Sequence, residues 1–240
     1  MFHLCQDSGM VKRAHSAQRR EESLSRERII EASIELLDSS GEEGLTFRML
    51  SERLATGPGA IYWHIANKND LLSAACDAVV ARTITETVVT TPEATIRTVA
   101  LGVFDVIDKH PWVGSVLTSA PGLSPMVRIL ERIGQQIRAL RVPEEQQWAA
   151  VGTLVAYILG VSRQNAANGQ LARTQGLDRD DFLKAVSAAW SQLDSKEYPF
   201  ARSVAGPMRD HDDRVDFLAG IDLILRGIGS TRRRSRLQHT

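Results

Sequence analysis

Tyr62, Trp63 and His64 stand in a row shortly after the run Thr56-Gly57-Pro58-Gly59. Successive residues on a helix point about 100° apart, so three bulky neighbours cannot all face one core and some must reach the surface. In isolation such a run is core packing more often than a site. Its placement changes the reading. Leu45 to Leu72 combines a short amphipathic helix, a Gly/Pro turn and a second short helix bearing the aromatic run. That is the layout of a helix-turn-helix, whose chemistry is the reading of DNA.

The elements that must position these residues follow from local rules. Thr46 caps a helix with Met49, Leu50 and Leu54 on one face and Arg48, Glu52 and Arg53 outside. Gly57 and Gly59 serve the turn, and Pro58 suits the first position of a helix reaching about Ile65, with Ala60, Ile61 and Ile65 inward. So short a helix needs support from its neighbours. Upstream, Ser25 caps a helix whose Ile29, Ile30, Ser33, Ile34, Leu36 and Leu37 form a buried stripe ending at Gly41. Downstream, Asn67 to Asp70 start a helix through Leu71, Leu72, Ala75 and Val79, past Arg82.

From Leu45 to Leu72, with Arg26 to Ser39 as the helix before it, the chain resembles the DNA-binding domain of the TetR family of transcriptional regulators. The matching features are Leu-Thr followed by a basic residue, two short helices, the Tyr-Trp-His run and a Lys four residues beyond its His. The resemblance is specific over this segment and general over the remainder. It implies that Thr46 and Arg48 touch phosphates, that Lys68 does so from the next helix start, and that Pro58, Gly59, Ala60, Tyr62, Trp63 and His64 face the groove. There an aromatic ring lies against sugar or a thymine methyl, and His64 donates to a phosphate. The chain departs from the family at Pro58, where a polar side chain commonly reads bases, and Gly59 and Ala60 add no hydrogen-bonding side chain. The family's operator sequence is therefore not carried over.

Composition sets bounds. The chain has 240 residues, 43% of them hydrophobic, with 29 basic and 29 acidic side chains and a formal net charge of zero. Binding to an anionic polymer must then rest on local placement of cations, not on a net field. Lys12, Arg13, Arg19 and Arg20 form a basic arm at residues 1–24, read equally as a DNA-tracking arm or a solvated tail. No apolar run approaches a membrane span, and no signal-peptide pattern opens the chain. The expected location is the cytoplasm, with Cys5 and Cys76 as plain thiols. No nucleophile elbow, phosphate loop, dinucleotide fingerprint or metal-ligand spacing occurs, so no enzyme, cofactor or metal is expected.

The expected fold is all-α: a helix-turn-helix domain at 25–72, a connecting helix and linker at 73–91, a larger helical domain at 92–229 and a basic tail at 230–240. Helices are expected over Glu93–Lys109, Val113–Thr118, Pro125–Leu140, Glu144–Asn168, Asp178–Leu193 and Asp212–Gly229, with a polar break from Gly169 and a loop opening Lys196–Gly206. The resemblance implies that this body binds a small-molecule effector and forms a homodimer. Gly152, Ala156 and Gly160 recur every fourth residue and leave a bare stripe, and Phe217, Ile221, Leu225 and Ile228 make a matching apolar face. Both stripes read equally as dimer seam or intrachain core. His110, Trp112, Trp148, Tyr157, Asn165 and Trp190 are candidate effector-pocket residues, each also at home in an ordinary core. The resulting expectation is a repressor that grips a palindromic double-stranded operator as a dimer and is released by its effector. An activator, or a helical adaptor retaining a relic of the motif, are the alternatives.

Overall fold

The computed structural model describes residues 24–84, 91–119, 122 and 124–238, and every described element is helical. The basic arm and Cys5 lie outside the described residues. The chain forms two compact units that divide between Ala75 and Cys76.

The first unit opens with α1 (Arg26–Gly44), whose N-cap Ser25 accepts from Arg28 N–H. Ile29, Ala32, Ile34, Leu36 and Leu37 are buried along one face. At Gly41, where the helix was expected to end, the backbone leaves helical geometry (φ 66°, ψ −171°), a conformation open to glycine, and one more short turn follows the kink. Thr46 caps α2 (Phe47–Arg53) by accepting from Met49 N–H. The buried stripe of α2 differs from the one expected. Leu50 is fully buried and Phe47 and Leu54 half-buried, whereas Met49 is 43% exposed, because spacings of three and four, not one, share a face.

The turn also differs. Its left-handed residue is Ala55 (φ 49°), not Gly57 or Gly59, and Thr56 N–H reaches back to the Ser51 carbonyl at 3.0 Å. α3 is Pro58–Tyr62, one turn and little more, with Pro58 at its first position. Ile61 and Ile65 are buried and hold it down. α4 (Lys68–Ile84) begins with Asn67 accepting from Asp70 N–H at 2.9 Å, while the Asp70 carboxylate accepts from Ala66 N–H at 3.1 Å. This reciprocal exchange satisfies two N–H groups at the helix start. The division between the two units falls inside α4.

The second unit is a helical body built around α5 (Pro92–Lys109), which packs most extensively on α8 (Glu144–Thr174) and also on α6 (Trp112–Ser119), α7 (Ser124–Ala139) and α11 (Asp213–Gln238). Its core joins Ile96, Phe104 and Ile107 to Ile129, Leu154, Ile158, Phe217 and Ile221. α9 (Arg179–Ser191), α10 (Pro199–Ala205) and a 3-10 turn (Pro207–Asp210) form a cap, tied by Ser187 donating to the Ala205 carbonyl at 2.7 Å.

Two helix ends depart from expectation. α8 runs through Gly169 to Thr174, since Ala172 is buried and rewards continuation. It stops where Gly176 is left-handed (φ 69°) and Leu177 N–H bonds the Ala172 carbonyl, a Schellman closure. The stretch from Lys196, expected to open as a loop, does so, and α10 follows it from Pro199. The backbone of α11 stays helical to Gln238, through most of the expected tail.

Candidate nucleic-acid interface

In the first unit the large aromatic side chains that face water are Tyr62 and Trp63. Trp63 is 89% exposed and Tyr62 55%. Tyr62 is not loose, because its ring stacks on Phe47 with centroids 4.5 Å apart and planes 7° from parallel. Phe47 lies one residue past the Thr46 cap, so α2 supplies a platform that fixes the direction of an α3 side chain. The sequence reading missed Phe47 by assigning the α2 face to Met49. A spacing count of Phe47, Leu50 and Leu54 would have found it.

The remaining motif residues sit around these rings. Thr46 spends a lone pair on Met49 N–H at 3.1 Å, and its own O–H remains a donor. Arg48 is highly exposed and pairs with Glu52 at 3.0 Å, one turn on. An exposed pair of this kind contributes less than about 1 kcal/mol, so a phosphate can compete for Arg48. Pro58 and Gly59 are exposed and Ala60 half-buried. At Gly57 and Gly59 an added Cβ would meet nothing within 4 Å, and neither has positive φ. Among the described residues nothing therefore requires glycine there.

His64 is half-buried, and its carbonyl accepts from Arg26 Nη1 at 2.7 Å. The same guanidinium reaches Asp70 at 3.3 Å, so Arg26 on α1 ties the end of α3 to the start of α4. Lys68 Nζ donates to the Glu42 carbonyl at 2.6 Å, capping the end of α1. Two of the ammonium's three donors remain for other acceptors.

In the second unit the candidate effector residues separate. His110 and Trp112 are buried and meet edge to face at 6.1 Å, as core. Trp148 is 76% exposed. Tyr157 stacks on Phe217 at 5.7 Å and donates to its carbonyl at 3.1 Å. Gly220 makes room for it, since a Cβ there would stand 1.9 Å from the phenol oxygen. None of those four lines either of the two cavities that Asn165 and Trp190 border. Asn165, bonded to Asp108 at 3.0 Å, lines a cavity of about 1160 Å³, and Trp190 lines an adjoining one of about 740 Å³. The walls of the smaller include Phe182, Val186, Val204, Met208 and His211, none of them foreseen, although Phe182, Val186 and Trp190 lie at helical spacing.

The two expected seam stripes also part company. Gly152, Ala156 and Gly160 lie along α8 with open space at both glycines, and Ala156 is exposed. Phe217, Ile221 and Leu225 are buried within the chain, against Phe104 and Tyr157 in the case of Phe217, so they belong to the intrachain core. Ile228 is half-buried. The exposed apolar side of α11 is instead Val215, Ala219 and Leu223. No helix among the described residues is long and apolar enough to cross a membrane.

Residues 29–75, which contain this interface, match the model of bacterial regulatory proteins of the tetR family. An HTH-type transcriptional regulator of Saccharopolyspora erythraea is 30% identical over 212 residues, 87% of this chain and 86% of the relative. The HTH-type transcriptional repressor DrrR1 of Streptomyces coeruleorubidus is 26% identical over 216 residues, 86% of this chain and 77% of that one. The solved structure of the transcriptional regulator SCO7222, a TetR from Streptomyces coelicolor, is 50% identical, with a TM-score of 0.79 over 87% of this chain and 99% of that one. With likeness of this extent in both the reading motif and the helical body, the chain belongs to the TetR family of transcriptional regulators.

Proposed function

We propose that this regulator is a repressor that grips a palindromic DNA operator as a homodimer and releases it on binding a small molecule. The observation that carries the reading is the exposure of Trp63 and Tyr62 on a helix anchored by Ile61 and Ile65. Large rings left in water but held in direction by stacking suit a partner with sugar and methyl surfaces. Thr46, Arg48, His64 and Lys68 supply donors for phosphates. The open space at Gly59 lets the α3 backbone approach the groove closely. Phosphate contacts set register, and Tyr62 and Trp63 set preference.

A helix as short as α3 offers few contacts, and two-fold repetition doubles them. The α8 stripe of half-buried Gly152 and exposed Ala156 and Gly160, with the exposed Val215, Ala219 and Leu223 of α11, suits a four-helix seam with a second copy. The relative DrrR1 is named as a repressor, which favours that sign. Two cavities in the second unit give an effector room. A ligand shifts the equilibrium only by binding two states unequally, and a hundredfold loss of DNA affinity needs about 2.7 kcal/mol of difference. α4, which carries the division between the units, is the element for that shift to act through.

Footprinting on DNA flanking the coding sequence, with and without candidate small molecules, tests the reading. Protection of a palindrome that a small molecule abolishes is the expected result. Equal affinity for that palindrome and for random duplex across a salt titration would refute it.

A further inference from the structure

Arg26 is the first residue of α1, where Ser25 already caps the helix and the helix dipole opposes a cation. Its partners lie on other elements. Nη1 donates to the His64 carbonyl at 2.7 Å, just past the end of α3, and Nη2 reaches Asp70 at 3.3 Å, in the first turn of α4. Both places suit those charges, since a cation is favoured at the carbonyl end of a helix and an anion at the N–H end. The other oxygen of Asp70 accepts from Ala66 N–H at 3.1 Å, so the connection between α3 and α4 is held at two points, the His64 carbonyl and the Ala66 N–H. A planar guanidinium suits this double task, because its fork presents fixed donors that an ammonium lacks.

The connection begins with Trp63. Tyr62 is directed by its stack on Phe47, whereas the Trp63 ring stands 89% in water, so its direction depends on the backbone that carries it. Arg26 holds that backbone one residue further on. Ile61 and Ile65 are buried and anchor α3 independently of the guanidinium, so removing it loosens the connection and leaves the fold in place.

We infer that Arg26 is a positioning residue for DNA recognition: through the His64 carbonyl and the Asp70 carboxylate it fixes the direction in which Trp63 meets the groove, without itself touching DNA. This rests on the DNA-binding reading above and adds to it a residue of α1, outside the helix-turn-helix.

Titration of the full chain with duplex from the flanking DNA, across a salt series, compares Arg26→Met, Trp63→Ala and the double variant. Arg26→Met should cost about tenfold in affinity with the slope of log affinity against log salt unchanged. In the Trp63→Ala background the same substitution should cost less than about twofold. Arg26→Lys, which keeps the charge but not the fork, should cost about threefold or more. A slope reduced by about one per half-site would make Arg26 a phosphate contact and overturn the proposal. Equal losses in both backgrounds, or full binding by either Arg26 variant, would also overturn it. Hydrogen exchange of the free protein needs no DNA. Arg26→Met should speed exchange at the Ile65 and Ala66 amides at least about tenfold and leave the core amides of α1 unchanged, and either no change or a uniform rise would count against the positioning role. Faster exchange at those two amides in a chain without sequence preference keeps the hold on the connection and removes the DNA reading. A sequence preference that Arg26→Met leaves intact does the reverse.

Discussion

Replacing Trp63 with alanine separates folding from recognition, because this side chain is 89% exposed and has almost no part in the fold. Unfolding free energy should change by no more than about 0.5 kcal/mol, as for other surface positions. An indole has about 250 Å² of surface, so about 220 Å² is available to a partner. If DNA covers half of that, at about 25 cal/mol per Å², the loss is about 3 kcal/mol for each half-site, close to a hundredfold. Ordering costs on docking make this a ceiling, and a loss between about tenfold and a hundredfold per half-site is expected. Fluorescence anisotropy with a labelled duplex from the flanking DNA, run across a salt series, measures it. Since no cation is removed, the slope of log affinity against log salt should stay the same, whereas Lys68→Ala should reduce it by about one per half-site. An unchanged affinity for Trp63→Ala, or a loss equal for every sequence, would refute the placement of this ring in the groove.

The Phe47–Tyr62 stack should appear as a coupling of about 0.5–1.5 kcal/mol in a double-mutant cycle of Phe47→Leu and Tyr62→Ala followed by urea unfolding, and strict additivity would argue against the platform. Gly59→Ala should leave stability equal or higher by up to about 1 kcal/mol, since helix propensity improves and no atom is displaced, while DNA affinity falls because the added methyl meets the groove. Unaltered binding would place the α3 backbone away from DNA. Ala156→Arg sets a guanidinium on the exposed α8 stripe at little cost in helix propensity, so sedimentation should show monomers with unchanged helicity, and an undisturbed dimer would move the seam elsewhere. The Cys76 thiol is pushed up to about 12 by burial, so in a Cys5→Ser background a thiol reagent at pH 8 should label it only after denaturation, and rapid native labelling would contradict its burial.

Local chemistry made much of the first unit legible. Ser25, Thr46 and Asn67 announce helix starts because a short polar side chain at an N-cap has one clear job, and Pro58 marks the first residue of α3 for an equally local reason. The exposure of Tyr62 and Trp63 followed from helix geometry, given that three adjacent bulky side chains point in different directions. Other features escaped a local reading. Which residue of α2 meets Tyr62 depends on the angle at which two helices cross, and the left-handed turn fell on Ala55, a residue type that carries no such signal. Arg26 and Lys68 both tie helix ends through backbone carbonyls, which are present at every residue and so leave no mark in a sequence.

The sequence by itself determined an all-helical chain, a helix-turn-helix with its aromatic run at the surface, and a family, because periodicity, caps and turn residues act over a few positions. Only the tertiary structure decided what an apolar stripe is for. Phe217, Ile221 and Leu225 have the same periodicity whether they face Phe104 and Tyr157 or a second copy, and the fold turned them inward while leaving Ala156 and Leu223 in water. It likewise placed Trp190 at a cavity and Trp112 in the core, two tryptophans that a sequence cannot tell apart. Burial depends on what packs from elsewhere in the chain, and that information is not local.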